Sequence, residues 1–291
     1  MHLESVLFSS EVVLEELILC SSVLQDLSIR DTTLGHLTLR SQTVKRLSLR
    51  RCFGHGLDSH VVIDTPSLEF LCIRDELLEN FRLESASSSI KICIDVMSTM
   101  QAFHNFFSGI SEAIDLVISR NTLEELYPDH CQPLQLPNIE NLTHLKACFS
   151  SGFSEMLPMF LSSYPNLKSL ELVLAGYPDM KKIACSPVPR CFQTSIEHVE
   201  VLMAREARQE ISREAEIEFA KYILENAIVL KKLTLWLEGE EDESSSVLQR
   251  ILTFPNRSLV EVKIKRSPPA KFRQGYGFEF RPVYDPRALF I

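Results

Sequence analysis

The sequence predicts an α/β chain in which a strand-rich solenoid of short repeats is followed by a small module of alternating strands and helices. Three observations predict it. Four successive ten-residue units, VLEELILCSS from Val13, VLQDLSIRDT from Val23, TLGHLTLRSQ from Thr33 and TVKRLSLRRC from Thr43, carry an aliphatic residue at their second, fifth and seventh positions. Beyond residue 140 a longer strand–helix–strand unit of about 25 residues appears, a period known from leucine-rich repeats. At SPVPRC, from Ser186, a proline-rich break separates this array from a different texture of strands and long helix.

Within the ten-residue units the pairs Leu17 and Leu19, Leu27 and Ile29, Leu37 and Leu39, and Leu47 and Leu49 stand two apart. Residues so spaced share one face of a strand, so each unit reads as a strand and a turn with these pairs facing the core. Ile18, Ser28, Thr38 and Ser48 lie between them, on the face left for water or a partner. A lone strand cannot bury its apolar side, and stacked units can. Ten residues are too few for one closed coil, which takes roughly 20 to 29, so two units make one coil, one strand out and one back. An open meander is the alternative. Either product is a surface for binding.

The strand pattern continues in SLEFLCIRDE from Ser67, FRLES from Phe81, SIKICIDV from Ser89 and AIDLVIS from Ala113. Met100, Phe103, Phe106 and Phe107 fall at helical spacing within 97–109, which predicts a short core helix between strands. NLTHLKACF from Asn141 and NLKSLELVLAG from Asn166 flank a second helix marked by Met156, Leu157, Phe160 and Leu161. After the break come a strand at SIEHVEVLMA and an amphipathic helix over about 210–229, whose stripe is Ile217, Ala220, Leu224 and Ala227 with Phe219, Ile223 and Ile228 beside it. LKKLTLWLEG from Leu230, an acidic loop from Glu238 to Glu243, a helix near Val247 to Leu252 and the strand VEVKIKR complete the pattern.

The 291 residues exceed the usual single-domain length of about 100 to 200, which an array growing in one dimension escapes. A hydrophobic share of 45% and a charged share of 24% match an ordinary globular protein. The net charge of −9 excludes a general nucleic-acid binder, which needs a basic field to displace counterions. Eight scattered cysteines and an opening without signal-peptide character place the chain in a reducing compartment, cytoplasm or nucleus, with its thiols free. Cys20, Cys72 and Cys93, in or beside apolar strands, are expected to behave as small hydrophobes. No run approaches the ~20 apolar residues of a membrane span. The sequons at Asn141 and Asn256 have no meaning without secretion.

The motifs VPRCFQTSIEHVEV from Val188, EIEFAKYILENAIVLKKLTLWLE from Glu216 and LQRILTFPNRSL from Leu248 resemble those of the plant F-box/leucine-rich-repeat proteins that end in an FBD domain. The stretch Tyr222 to Thr234 is the most specific, and the resemblance covers about Val13 to Arg266. It implies a leucine-rich-repeat array over 1–186, an FBD module over 187–266 and a C-terminal tail over 267–291. The chain departs from the family where MAREARQEISRE replaces a glycine-bearing turn and PNRS replaces the closing PRAS pattern. The resemblance also implies that an F-box holds the Skp adaptor of a cullin ubiquitin ligase while the repeats choose the protein to be ubiquitinated. No F-box pattern precedes the first repeat, so Skp and cullin are expected only indirectly, through another subunit. The expected function is a non-enzymatic interaction scaffold for substrate recognition. A ubiquitin-independent, nuclear interaction protein or a truncated, non-functional paralogue are the alternatives.

Chemistry-bearing constellations are few. Asp129-His130-Cys131 joins a base and a nucleophile, but sequence neighbours on a loop rarely face each other. Cys185, Cys191 and His198 lack the tight four-ligand spacing of a zinc site, so no metal is predicted. None of the phosphate-cradling or hydrolase motifs occurs, so no cofactor is predicted. Arg30, Arg40 and Arg50 recur at one position of successive units. In two-unit coils Arg30 and Arg50 share an edge about 5 Å apart, and like charges so placed predict an acidic protein partner. The tail from Arg257 carries eight basic residues against three acidic ones, with aromatics interleaved. That mix fits stacking on single-stranded nucleic acid, but packing on the last coil is the favoured reading.

Overall fold

Consecutive strands of the first coils enter different sheets, which is how the ten-residue units resolve into pairs. The structure, a computed structural model, describes residues 1–6, 11–52, 60–76, 80–127, 136–150, 156–204, 212–237, 241–254 and 260–266. The first half runs β1 (His2–Glu4), α1 (Glu11–Leu19), β2 (Asp26–Arg30), β3 (His36–Arg40), β4 (Arg46–Arg50), β5 (His60–Asp64), β6 (Phe70–Glu76), β7 (Asn80–Ser85), β8 (Lys91–Met97), α2 (Met100–Gly109), β9 (Asp115–Ile118) and α3 (Arg120–Leu126). The second runs β10 (His144–Ser150), α4 (Leu157–Ser162), β11 (Ser169–Ala175), α5 (Met180–Cys185), α6 (Arg190–Thr194), β12 (His198–Ala204), α7 (Arg213–Asn226), β13 (Lys232–Leu237), α8 (Glu241–Leu252) and β14 (Glu261–Arg266).

Among the described residues, eleven strands form one parallel sheet in the order β1-β2-β4-β6-β8-β9-β10-β11-β12-β13-β14, and β3-β5-β7 form a second. Asp26 lies opposite Arg46 and His36 opposite His60, so one out-and-back pair of units advances each sheet by one strand. The open meander predicts antiparallel neighbours and is overturned by this parallel register. From β8 onward helices replace the second-sheet strands. The inward rows are leucine and its relatives throughout: Leu27, Leu47, Leu71, Ile92, Leu116 and Leu145 follow one another across the main sheet, all buried.

Small polar side chains close the corners. The Cys52 thiol donates to the Ile29 carbonyl at 3.1 Å, and Thr122 Oγ1 accepts from the Val96 amide at 2.8 Å while donating to the Val96 carbonyl at 3.1 Å. Buried backbone groups at a turn demand such partners, which is why Cys52 and Thr122 tolerate full burial.

The first unit departs from expectation. VLEELIL forms α1, with Leu14 and Ile18 buried at 0% and 1% exposure while Leu17 and Leu19 stand 42% and 62% exposed. Its apolar residues satisfy both a period of two and a spacing of four, and the surroundings decide. α1 packs on β3, the edge of the second sheet, and Glu15 Oε1 accepts the Thr38 amide at 2.9 Å. A bare edge strand needs cover, and the helix with its carboxylate supplies it. Cys20, just past α1, is exposed rather than packed as a hydrophobe. At the opposite edge α2 packs on β7, with Phe81 and Phe106 ring centroids 5.4 Å apart.

The remaining predicted helices form with adjusted ends. α7 buries Ile217, Phe219, Ala220, Ile223 and Leu224, its C-cap Ala227 is buried as well, and Ile228 beyond it is 66% exposed. α8 begins inside the run read as an acidic loop. α3, α5 and α6 were not predicted; Ser119 and Asp179 cap the first two, each side chain accepting backbone amides of the first turn. Asp129-His130-Cys131 and the tail over 267–291 lie outside the described residues. No described helix is long and apolar enough to cross a membrane.

Candidate functional site: the outward face of the large sheet

Every second residue of the eleven strands faces away from the core, so the parallel register arranges these side chains in rows across the sheet. Arg30, Arg50 and Arg74 are successive members of one row, with Glu4 before them and Asp95 after. Arg40 lies in the second sheet opposite Asp64, apart from this row. The structure thus joins Arg30 to Arg50, separates Arg40 and adds Arg74. The repeated Ile-Arg-Asp at 29–31 and 73–75 was the signal for Arg74, hidden because the ten-residue spacing lapses after Cys52.

Carboxylates of the chain itself meet these guanidiniums. Arg30 Nε lies 3.1 Å from Asp31 Oδ2 and its Nη1 3.6 Å from Glu4 Oε1, while Arg50 Nε lies 3.6 Å from Asp75 Oδ2. Asp31 Oδ1 also receives Arg51 Nε at 2.5 Å, a hydrogen bond that holds the Asp31 carboxyl below its usual range and raises Arg51. Ser5, Asp31, Arg51 and Asp75 each sit one residue past this row with left-handed backbones, φ between 47° and 83°. At Ser5, Asp31 and Arg51 that conformation turns the chain out of the strand, and Ser5 and Asp31 donate their amides, both at 3.0 Å, to the carbonyls of Arg30 and Arg50 in the next strands. Like charge on adjacent strands is therefore offset from within.

At the other end of the face the same row turns apolar. Val173, Leu202 and Trp236 are register partners on β11, β12 and β13, each partly exposed. The Trp236 indole N–H donates to Glu200 Oε1, and Lys265 Nζ stands 4.5 Å from the indole ring centroid. Beside them Lys146 Nζ meets Glu171 Oε2 at 2.8 Å. A shallow depression of about 220 Å³ lies among Ser169, Glu171, His198, Glu200, Lys232 and Thr234. Its carboxylates are already engaged from the rim, Glu171 by Lys146 and Glu200 by the Trp236 indole.

Cys191 is fully buried and burial pushes its thiol up to about 12, opposite to the thiolate that a zinc ligand must be. No three His, Cys, Asp or Glu side chains cluster as a metal site among the described residues.

The FBD family model matches residues 185–235, the span of α6, β12, α7 and β13. The chain is similar to a putative FBD-associated F-box protein of Arabidopsis thaliana, 51% identical over 233 residues, covering 80% of this chain and 63% of that protein. It is similar also to an F-box/FBD/LRR-repeat protein of the same plant, 34% identical over 294 residues, covering 97% of this chain and 61% of that protein. Another FBD-associated F-box protein is 35% identical over 215 residues, 68% of this chain and 46% of its own. The chain spans less than two thirds of the length of each. No solved structure matches it significantly.

Proposed function

Since the chain belongs to the plant F-box/FBD/LRR-repeat family, we propose that it selects a partner protein for ubiquitination by docking it on the outward face of the large sheet, without catalysing a reaction. The alternating parallel pairing is read as one continuous leucine-rich-repeat solenoid whose last strands and helices form the FBD module over 187–266, with the tail over 267–291 appended. Contact with Skp and cullin runs through an F-box, wherever that is carried. Reduced cysteines suit the cytoplasm or nucleus.

One observation carries the choice of contact: a partly exposed tryptophan set beside apolar neighbours on a shallow face. Trp236 with Leu202 and Val173 has the make-up of a binding hot spot, an aromatic anchor ringed by charged pairs. An acidic partner at Arg30 and Arg50 would have to displace Asp31 and Asp75, so the contact is placed first over the FBD strands.

Affinity purification from plant cells tests this with the wild-type chain beside Leu202→Asp and Trp236→Ala. Recovery of the partner is expected to fall about tenfold or more with either variant, the usual loss at a hot spot, while Skp and cullin accompany the wild type. Undiminished recovery with both folded variants would remove the site. A partner recovered without Skp or cullin would favour the ubiquitin-independent reading.

A further inference from the structure

In the middle row of the outward face Ser28, Ser48, Cys72, Cys93 and Val117 follow one another. Cys72 and Cys93 are register partners on β6 and β8, both reduced, and 5% and 2% exposed. Neighbouring strands stand about 4.8 Å apart, and a disulfide accepts Cα separations of roughly 4.4–6.8 Å. Arg74 projects from the same side of β6, two residues on, with Asp95 its register partner.

Among the described residues the other buried thiols are held in their protonated form by burial. Burial pushes Cys52 and Cys148 each up to about 12. Cys72 moves the other way, because the Cys93 thiol donates a hydrogen bond to its thiolate and the Arg74 guanidinium adds positive charge, against burial and the Asp95 charge. The Cys93 proton is held correspondingly tightly. The two thiols therefore release their protons as a pair, the first easily and the second with difficulty.

We propose that Cys72 and Cys93 form a peroxide-reactive dithiol that closes to a cross-strand disulfide. The Cys72 thiolate attacks one peroxide oxygen, the O–O bond breaks, and the departing hydroxide takes up a proton to leave as water. The Cys93 sulfur then attacks the Cys72 sulfenic acid, the S–O bond breaks, and the Cys93 proton leaves with the hydroxyl as a second water. One peroxide is reduced by two electrons and two thiols become one disulfide. The bond links adjacent strands at the centre of the outward face, and it stands whether or not a partner docks there.

The test treats the intact chain with hydrogen peroxide at neutral pH, quenches with an alkylating agent after unfolding, and maps peptides by mass. A Cys72–Cys93 linked peptide, lighter by two hydrogens and restored by a thiol reductant, is expected to form at least about threefold faster than exposed Cys20 or Cys185 oxidises, as thiolate content governs the rate. Cys93→Ser is expected to leave Cys72 as a sulfenic acid trapped by dimedone, and Cys72→Ser to leave Cys93 reduced. The proposal fails if both residues remain alkylatable in the wild type at doses that oxidise Cys20 and Cys185, or if either pairs with a different cysteine. The wild-type map decides even where a variant does not fold.

Discussion

The coils over 26–85 and those over 91–266 share one wall and differ in the other. Both put alternating leucine, isoleucine or valine from a parallel strand into the core. The early coils oppose that wall with strands β3, β5 and β7, whereas the later ones oppose it with helices. The largest fully buried side chains among the described residues follow this division: Phe103, Phe106, Phe107, Phe149, Phe160, Tyr164, Phe192 and Phe219 all belong to the helical part. A helix is roughly 10 Å wide and a strand advances only about 4.8 Å, so a helical wall leaves wider gaps per coil. Aromatic rings fill them, while aliphatic side chains suffice between two strand walls.

The sharpest way to break this comparison is to empty one core of each kind. Phe160 packs edge-on against Tyr164, Phe149 and Tyr127 at centroid distances of 5.1, 5.6 and 6.4 Å. Phe160→Ala is expected to cost about 4 kcal/mol and Leu37→Ala, in β3, about 3 kcal/mol by denaturant unfolding. A larger loss at Leu37 than at Phe160 would show that the strand-walled coils, not the aromatic ones, hold most of the stability.

Glu15 sharpens the comparison at the boundary between helix and strand wall. Glu15→Ala leaves the Thr38 amide at the sheet edge without its acceptor, a loss of about 1–2 kcal/mol. Hydrogen exchange is expected to accelerate at Thr38 and not in β11–β13. Uniform acceleration would mean that the two kinds of coil unfold as one unit.

The smallest expected effect is on the acid side. Arg51 lowers the Asp31 carboxyl in the strand-walled part, and Lys231, Arg250 and Lys263 lower Glu197, Glu214 and Glu261 in the helical part. Because the folded values lie below the ordinary 3.8 and 4.5, the stability from these pairs is complete above that range and is lost as pH falls through the lowered values. All four pairs are solvent-screened, so the decline between pH about 5 and 3 is expected to be gentle. Asp31→Asn is expected to reduce that slope in the early coils only; an unchanged slope would show that Arg51 does not act on Asp31 in solution.

Much of the fold was legible because burial imposes a period on a strand: Leu27 with Ile29 and Leu170 with Leu172 announce their strands locally. The candidate site was less legible. Trp236 appeared only as a letter of a strand, since nothing near it in sequence shows that Val173 and Leu202 stand beside it. Arg74 escaped because its unit has lost the ten-residue spacing, although its Ile-Arg-Asp repeats that of Arg30.

By itself the sequence determined the inward rows from Leu27 onward and the strands that carry them, because each follows from spacing along a few neighbouring residues. Only the tertiary structure decided that VLEELIL is a helix, that the units pair into coils rather than a meander and so part Arg40 from Arg30 and Arg50, and that Cys72 meets Cys93. Those outcomes depend on how many residues each coil spends before returning to the sheet, a long-range register that no local pattern contains.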